Sequence, residues 1–109
     1  MLINGYRCMW ILTMFDLPTD TKPARRQYAL FRKDLLQDGF MMMQYSVYAR
    51  HCPSKENAEV HIRRIKGFIP PDGEVRILTF TDKQFQRMLV FWGKIRKMPV
   101  APPQQLELF

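Results

Sequence analysis

An α+β fold of β-α-β-β-α-β order is what the chain predicts, and three observations predict it. A short, continuous apolar run from Cys8 to Phe15 reads as a central strand buried on both faces. Two segments, about Lys22 to Asp38 and Ser54 to Gly67, carry apolar residues at helical spacing. Stretches with the period of two that marks a strand lie between and after them, Phe40 to Cys52 and Val75 to Thr81. The 109 residues are one domain's worth, and 47% apolar with 25% charged residues excludes disorder and fibres.

The elements follow in order. The first strand ends at Asp16, and Leu17 to Thr21 is a loop by its proline and capping residues. In the first helix Ala24, Tyr28, Phe31 and Leu35 form the apolar stripe. Pro23 fits the first turn, and Gly39 the left-handed stop. Phe40 to Cys52 is one strand, or two short ones parted by a kink near Gln44 to Ser46. Tyr45, Val47, Ala49 and His51 share one face there, and Ser46, Tyr48 and Arg50 the other. Ser54 is the N-cap of a second helix whose apolar face is Ala58, Ile62 and Ile65, ended by Gly67 and Pro70-Pro71 near Ile69. A strand follows from Val75 to Thr81, and Asp82 caps a helical turn from Lys83 to Met88. Leu89 to Trp92 is extended again. With the middle region split in two, this is the ferredoxin-like arrangement, an antiparallel sheet with both helices on one face. Residues 1–93 make the domain. Residues 94–109, with their basic patch, three prolines and alternating end from Leu106 to Phe109, form a C-terminal strand extension.

Charge gives the first functional clue. Seventeen Lys and Arg against ten Asp and Glu leave a net +7, which favours a polyanion, nucleic acid ahead of an acidic membrane. No apolar run approaches the roughly 20 residues of a bilayer span. The longest is broken by Asp16 and lacks a small-residue cleavage site, so neither membrane nor signal peptide is expected. Two cysteines, Cys8 and Cys52, fit a reducing cytoplasm better than a disulfide scaffold.

Asp16 is the candidate catalytic and metal-binding residue. A carboxylate directly after a central strand emerges at the strand's carboxyl edge, where it must be solvated, paired or bound to a cation. Magnesium fits such a place, because it keeps most of its waters and takes one or two carboxylates beside substrate phosphates. A solvated loop carboxylate fits the same position, and Asp20 suits helix capping better than metal binding. One chain offers few ligands, but a twofold dimer would bring two Asp16 carboxylates together across its dyad.

Three basic sets accompany it. Lys22, Arg25, Arg26, Arg32 and Lys33 fall on one arc of the first helix, away from its apolar stripe, as a row of phosphate contacts would. His61, Arg63, Arg64 and Lys66 form a second set, and Lys94, Arg96 and Lys97 a third. Other chemistry finds little support: no CxxC or paired His-Cys spacing for zinc, and no glycine-rich nucleotide loop. Ser46 has no evident partners for a triad, and Met41 to Met43 reads as adaptable packing. No aromatic-studded strand signature indicates base stacking.

Several pieces together resemble a known family. They are Phe15-Asp16-Leu17 at the end of the first strand, the segment Gln44 to Tyr48, and the strand Val75 to Asp82. In the tail they are Gln86-Arg87-Met88, Gly93-Lys94 and Gln105 to Phe109. The whole chain is similar to the small CRISPR-associated adaptation protein, the non-integrase partner in spacer acquisition, in the version of type II systems. That resemblance implies a ferredoxin-like homodimer that holds duplex DNA and bridges two dimers of the CRISPR integrase. It implies a C-terminal strand (Leu106, Leu108 and Phe109) that docks on the partner subunit or the integrase. It also implies a metal-dependent endonuclease, acting on RNA or double-stranded DNA, in which Asp16 binds Mg²⁺ or Mn²⁺. The residue before that Asp is commonly Tyr in the family, and Phe15 removes any role for a hydroxyl there. Two function classes stay open, the magnesium-dependent nuclease and a structural DNA-binding adaptor, with a toxin-like endoribonuclease as a third.

Overall fold

The computed structural model describes residues 8–97. A four-stranded antiparallel sheet holds β2, β3, β1 and β4 in that spatial order, the ferredoxin-like order. The strands are β1 (Met9–Asp16), β2 (Met41–Gln44), β3 (Val47–Cys52) and β4 (Glu74–Thr81), and the two long helices are α1 (Lys22–Gln37) and α2 (Lys55–Gly67). The middle region is therefore two strands. Their turn at Tyr45 and Ser46 falls where the kink was expected, and Ser46 takes a left-handed φ of 62°.

The face of β1 toward the helices is covered, while the other runs from buried Trp10 through half-buried Leu12 and Met14 to exposed Asp16. Ile11, Phe15, Phe31, Leu35, Tyr48 and Ile65 belong to the layer shared with the helices. Trp10, Ala49 and Phe85 form a smaller cluster on the other face. Phe31 and Leu35 of the α1 stripe are buried, as are Ala58 and Ile65 of α2. Helix α2 starts as its sequence says, with Ser54 Oγ accepting from Asn57 N, whereas at α1 Thr21 rather than Asp20 is the N-cap, its Oγ1 accepting from Ala24 N. Gly39 stops α1 at φ 90°, and Phe68, rather than the exposed Ile69, continues the packing beyond α2. Cys8 and Cys52 are buried and both free.

One further reading changes. Asp82 is not the cap of the short helix α3 (Asp82–Gln86): Thr81 is, through a reciprocal capping box with Gln84. Asp82 is itself buried, and its carboxylate accepts from Trp10 Nε1 at 2.8 Å and Gln86 Nε2 at 2.9 Å. A buried carboxylate needs such donors, and this pair ties α3 to β1. The extended stretch after α3 is one arm of a hairpin, β5 (Val90–Trp92) with β6 (Ile95–Lys97), turning at Gly93 with φ 61°. The Gly93/Lys94 division lies inside that turn. Leu106, Leu108 and Phe109 lie outside the described residues.

Candidate nuclease site and nucleic-acid surfaces

Alternation along β1 decides where Asp16 goes. Phe15 turns toward the helices, where its ring meets Phe31 edge-on at 5.0 Å and lies 5.6 Å from Tyr48. The next side chain takes the opposite side of the sheet, so Asp16 is exposed at the carboxyl end of the strand. Its register neighbour across β4 is Glu74. One cavity of about 280 Å³ is lined by Phe15, Asp16, Tyr45, Ser46, Glu74 and Arg76, among others. Among the described residues the Asp16 carboxylate has neither ion pair nor hydrogen bond, whereas Glu74 is paired with Arg76.

Two turns hold this strand end. Ser46 O accepts from Phe15 N at 3.0 Å, and Ser46 Oγ shares a 2.9 Å hydrogen bond with Tyr28 Oη of α1. On the other side Gly73, at φ 95°, brings its Cα against the backbone after β1. A Cβ there would sit 2.7 Å from Asp16 O and 2.7 Å from Leu17 Cδ2, so no side chain fits. Sequence reading gave Gly73 no role at the site. Its signal, a lone glycine after two prolines and an aspartate, says turn but not what the turn touches.

The residues present suit a hydrated divalent ion in donor chemistry: one unpaired, exposed carboxylate with a second on the neighbouring strand. Among the described residues no group of three or more His, Cys, Asp and Glu could hold a metal alone. One subunit alone would supply only part of a coordination shell.

The basic residues do not gather at that cavity. None of Arg25, Arg26, Arg32 and Lys33 lines it, and the cation that does is Arg76, which the sequence reading passed over. Helix α1 covers the other layer of the sheet, so its arc faces outward from that layer. Arg25, Arg26 and Lys33 are exposed, and Arg25 donates to Thr19 O at 3.2 Å, bracing the loop after Asp16. Arg32 Nε donates to Tyr48 Oη at 2.7 Å, which leaves its remaining N–H groups for an anion. The second basic set is partly spent within the fold. His61 is buried, with Nδ1 2.7 Å from Asp38 Oδ2, and Arg64 donates to Asp38 Oδ1 at 2.8 Å. Burial works against the Asp38 carboxylate, but the hydrogen bonds from Arg64 and His61 outweigh it and hold its pKa below the usual value.

A sequence model of the family described as "CRISPR associated protein Cas2" matches residues 9–88. A Parvibaculum lavamentivorans protein named "CRISPR-associated endoribonuclease Cas2" is 61% identical over 101 residues, 93% of this chain and all of that one. A protein of the same name from Flavobacterium psychrophilum is 50% identical across 98% of this chain and 93% of its own length. A solved structure titled "Crystal structure of cas2" superposes with a TM-score of 0.54 at 23% identity, covering 87% of this chain and 97% of that one, and shows the shared fold.

Proposed function

The chain belongs to the Cas2 family of CRISPR-associated proteins, and on that premise we propose that it is a homodimeric CRISPR adaptation protein with magnesium-dependent endonuclease activity centred on Asp16. The observation that carries the nuclease reading is the unpaired Asp16 carboxylate, exposed at the end of the central strand in a cavity it shares with Ser46, Glu74 and Arg76. Asp16, with Glu74 beside it, would hold Mg²⁺ or Mn²⁺, and the ion would supply a polarised water or stabilise the leaving oxygen of a phosphodiester. Arg76 places a positive charge where a substrate phosphate would lie. The names of the relatives support RNA as a substrate, and the net charge of +7 suits RNA and duplex DNA alike.

The adaptor reading has its own support. The α1 arc and the Asp16 cavity lie on different surfaces, so duplex DNA can be held without reaching the carboxylate. In this role the dimer holds duplex DNA in the cytoplasm and bridges two integrase dimers, with Leu106, Leu108 and Phe109 docking on a partner. The half-exposed Leu78 and Met41, on the side of the sheet that α1 and α2 leave open, suit a second copy.

Asp16→Asn separates the two readings. The amide is nearly isosteric but cannot carry the charge that holds the ion. Cleavage of RNA or duplex DNA should require Mg²⁺ or Mn²⁺ and vanish in the variant, while folding, dimerisation and duplex binding persist. Robust cleavage by highly purified Asp16→Asn protein would remove the assignment. The adaptor reading is checked by a stable complex of the same variant with integrase and duplex DNA, and by continued spacer acquisition.

A further inference from the structure

An exposed aromatic ring stands at the rim of the Asp16 cavity. Tyr45, at the β2–β3 turn, is 76% exposed, far more than Tyr28 or Tyr48. It is nevertheless held in place. Its ring stacks on Tyr28 with centroids 6.0 Å apart and planes 21° apart. Tyr28 is fixed in turn by its hydroxyl contact with Ser46 and by packing on Phe15 at 5.7 Å. The turn that presents Tyr45 contains Ser46 at φ 62°, a left-handed conformation that a residue other than glycine adopts at a cost. That cost is offset locally by the Phe15 N to Ser46 O and Tyr28 to Ser46 hydrogen bonds. A solvent-facing ring held beside the exposed Asp16 carboxylate is an arrangement that hydrophobic packing does not require.

We infer that Tyr45 is a stacking platform for an unpaired nucleobase, seating the nucleotide whose phosphate enters the Asp16 cavity. Every base has a π-face, so such a platform binds without reading sequence. A base inside an intact duplex is already stacked on its neighbours and cannot reach the ring. The platform therefore selects single strands, loops and frayed ends. The sequence indicated no stacking surface because the usual signature places aromatics along strands, whereas this ring sits on a turn. The inference rests on the reading of the Asp16 cavity as the place where a substrate phosphate enters but concerns binding, so it can be tested without cleavage.

The test uses oligonucleotides carrying a single 2-aminopurine, as single-stranded RNA and as duplex, in EDTA so that no cutting intervenes. Stacking on Tyr45 should quench the fluorophore in the single strand. Tyr45→Phe should keep both quenching and affinity. Tyr45→Ala should lose the quenching and bind about tenfold more weakly, within the range measured for base–aromatic stacks. The salt slope should stay unchanged in Tyr45→Ala, because no phosphate contact is lost. An oligonucleotide abasic at the probe position should bind wild type and Tyr45→Ala equally. Equal affinity of wild type and Tyr45→Ala for the base-bearing strand would overturn the platform. So would a loss in Tyr45→Ala matched by the abasic strand, or one explained by dissociation of the dimer in sedimentation. Absence of cleavage when Mg²⁺ or Mn²⁺ is supplied to wild type in a separate reaction, with quenching intact in EDTA, would count against the Asp16 reading alone.

Discussion

Gly73 shows how one residue without a side chain can position one that has chemistry. Its left-handed φ and the 2.7 Å that would separate a Cβ from Asp16 O exclude a methyl group by two independent routes. The conformational term alone costs about 1–2 kcal/mol for an L-residue, and the contact is with backbone, which cannot swing aside. Gly73→Ala should lower stability by about 2 kcal/mol or more in urea titration. It should also depress any Asp16-dependent cleavage beyond what the folded fraction explains, while duplex affinity, carried elsewhere, stays near wild type. The cysteines give a second prediction at this scale. Burial raises the thiol pKa of both Cys8 and Cys52, with the Asp82 charge adding to the effect at Cys8. The thiolate fraction near neutrality is thus smaller than for a free cysteine. Both should resist a thiol reagent in the native protein and react fully in denaturant, and the mass without reductant should show no bridge.

Three elements meet at Asp38. It closes α1, its carboxylate takes His61 and Arg64 of α2, and its carbonyl accepts from Arg50 Nε of β3 at 2.8 Å. Hydrogen bonds to charged groups are worth about 1.5–3 kcal/mol. Asp38→Asn should therefore cost about 2 kcal/mol at neutral pH. Because the folded pKa is depressed, the carboxylate's contribution is fully present above its unfolded pKa, about 3.9, and is lost as pH falls through the folded value. The urea midpoints of wild type and Asp38→Asn should thus converge below about pH 4. Constant separation down to pH 3 would contradict the pairing. At α3, the Thr81 capping box holds Phe85 stacked on Trp10 at 3.8 Å, so the cap fixes what covers that end of the sheet.

Across the whole molecule, charge and carboxylate are separated. If about six phosphates are neutralised, log affinity for duplex DNA should fall with log salt at a slope of roughly −5. Replacing Arg25, Arg26, Arg32 and Lys33 with Ala should flatten that slope by several units without abolishing cleavage chemistry at Asp16. Arg32→Ala alone should also lower stability, since it removes the donor to Tyr48 Oη. Dimerisation is checked by sedimentation at micromolar concentration, and deletion of residues 104–109 should weaken the dimer or its hold on the integrase.

Period and capping in the sequence alone determined the alternation of strand and helix segments, the α1 and α2 stripes, the N-cap at Ser54 and the stop at Gly39. These depend on neighbours three or four residues apart, or on one residue's own conformational freedom. The same local logic placed Asp16 at a strand's carboxyl end. Only the tertiary structure decided what each exposed charge and ring faces. It set Glu74 across from Asp16 in strand register, closed the site with Gly73, put Arg76 rather than the α1 arginines in its cavity, and buried His61 against Asp38. It also made Thr81, not Asp82, the cap of α3, because Trp10, 72 positions away in sequence, claims the Asp82 carboxylate. Contacts between residues so distant are set by strand register and layer packing, and the local composition of either segment carries no trace of them.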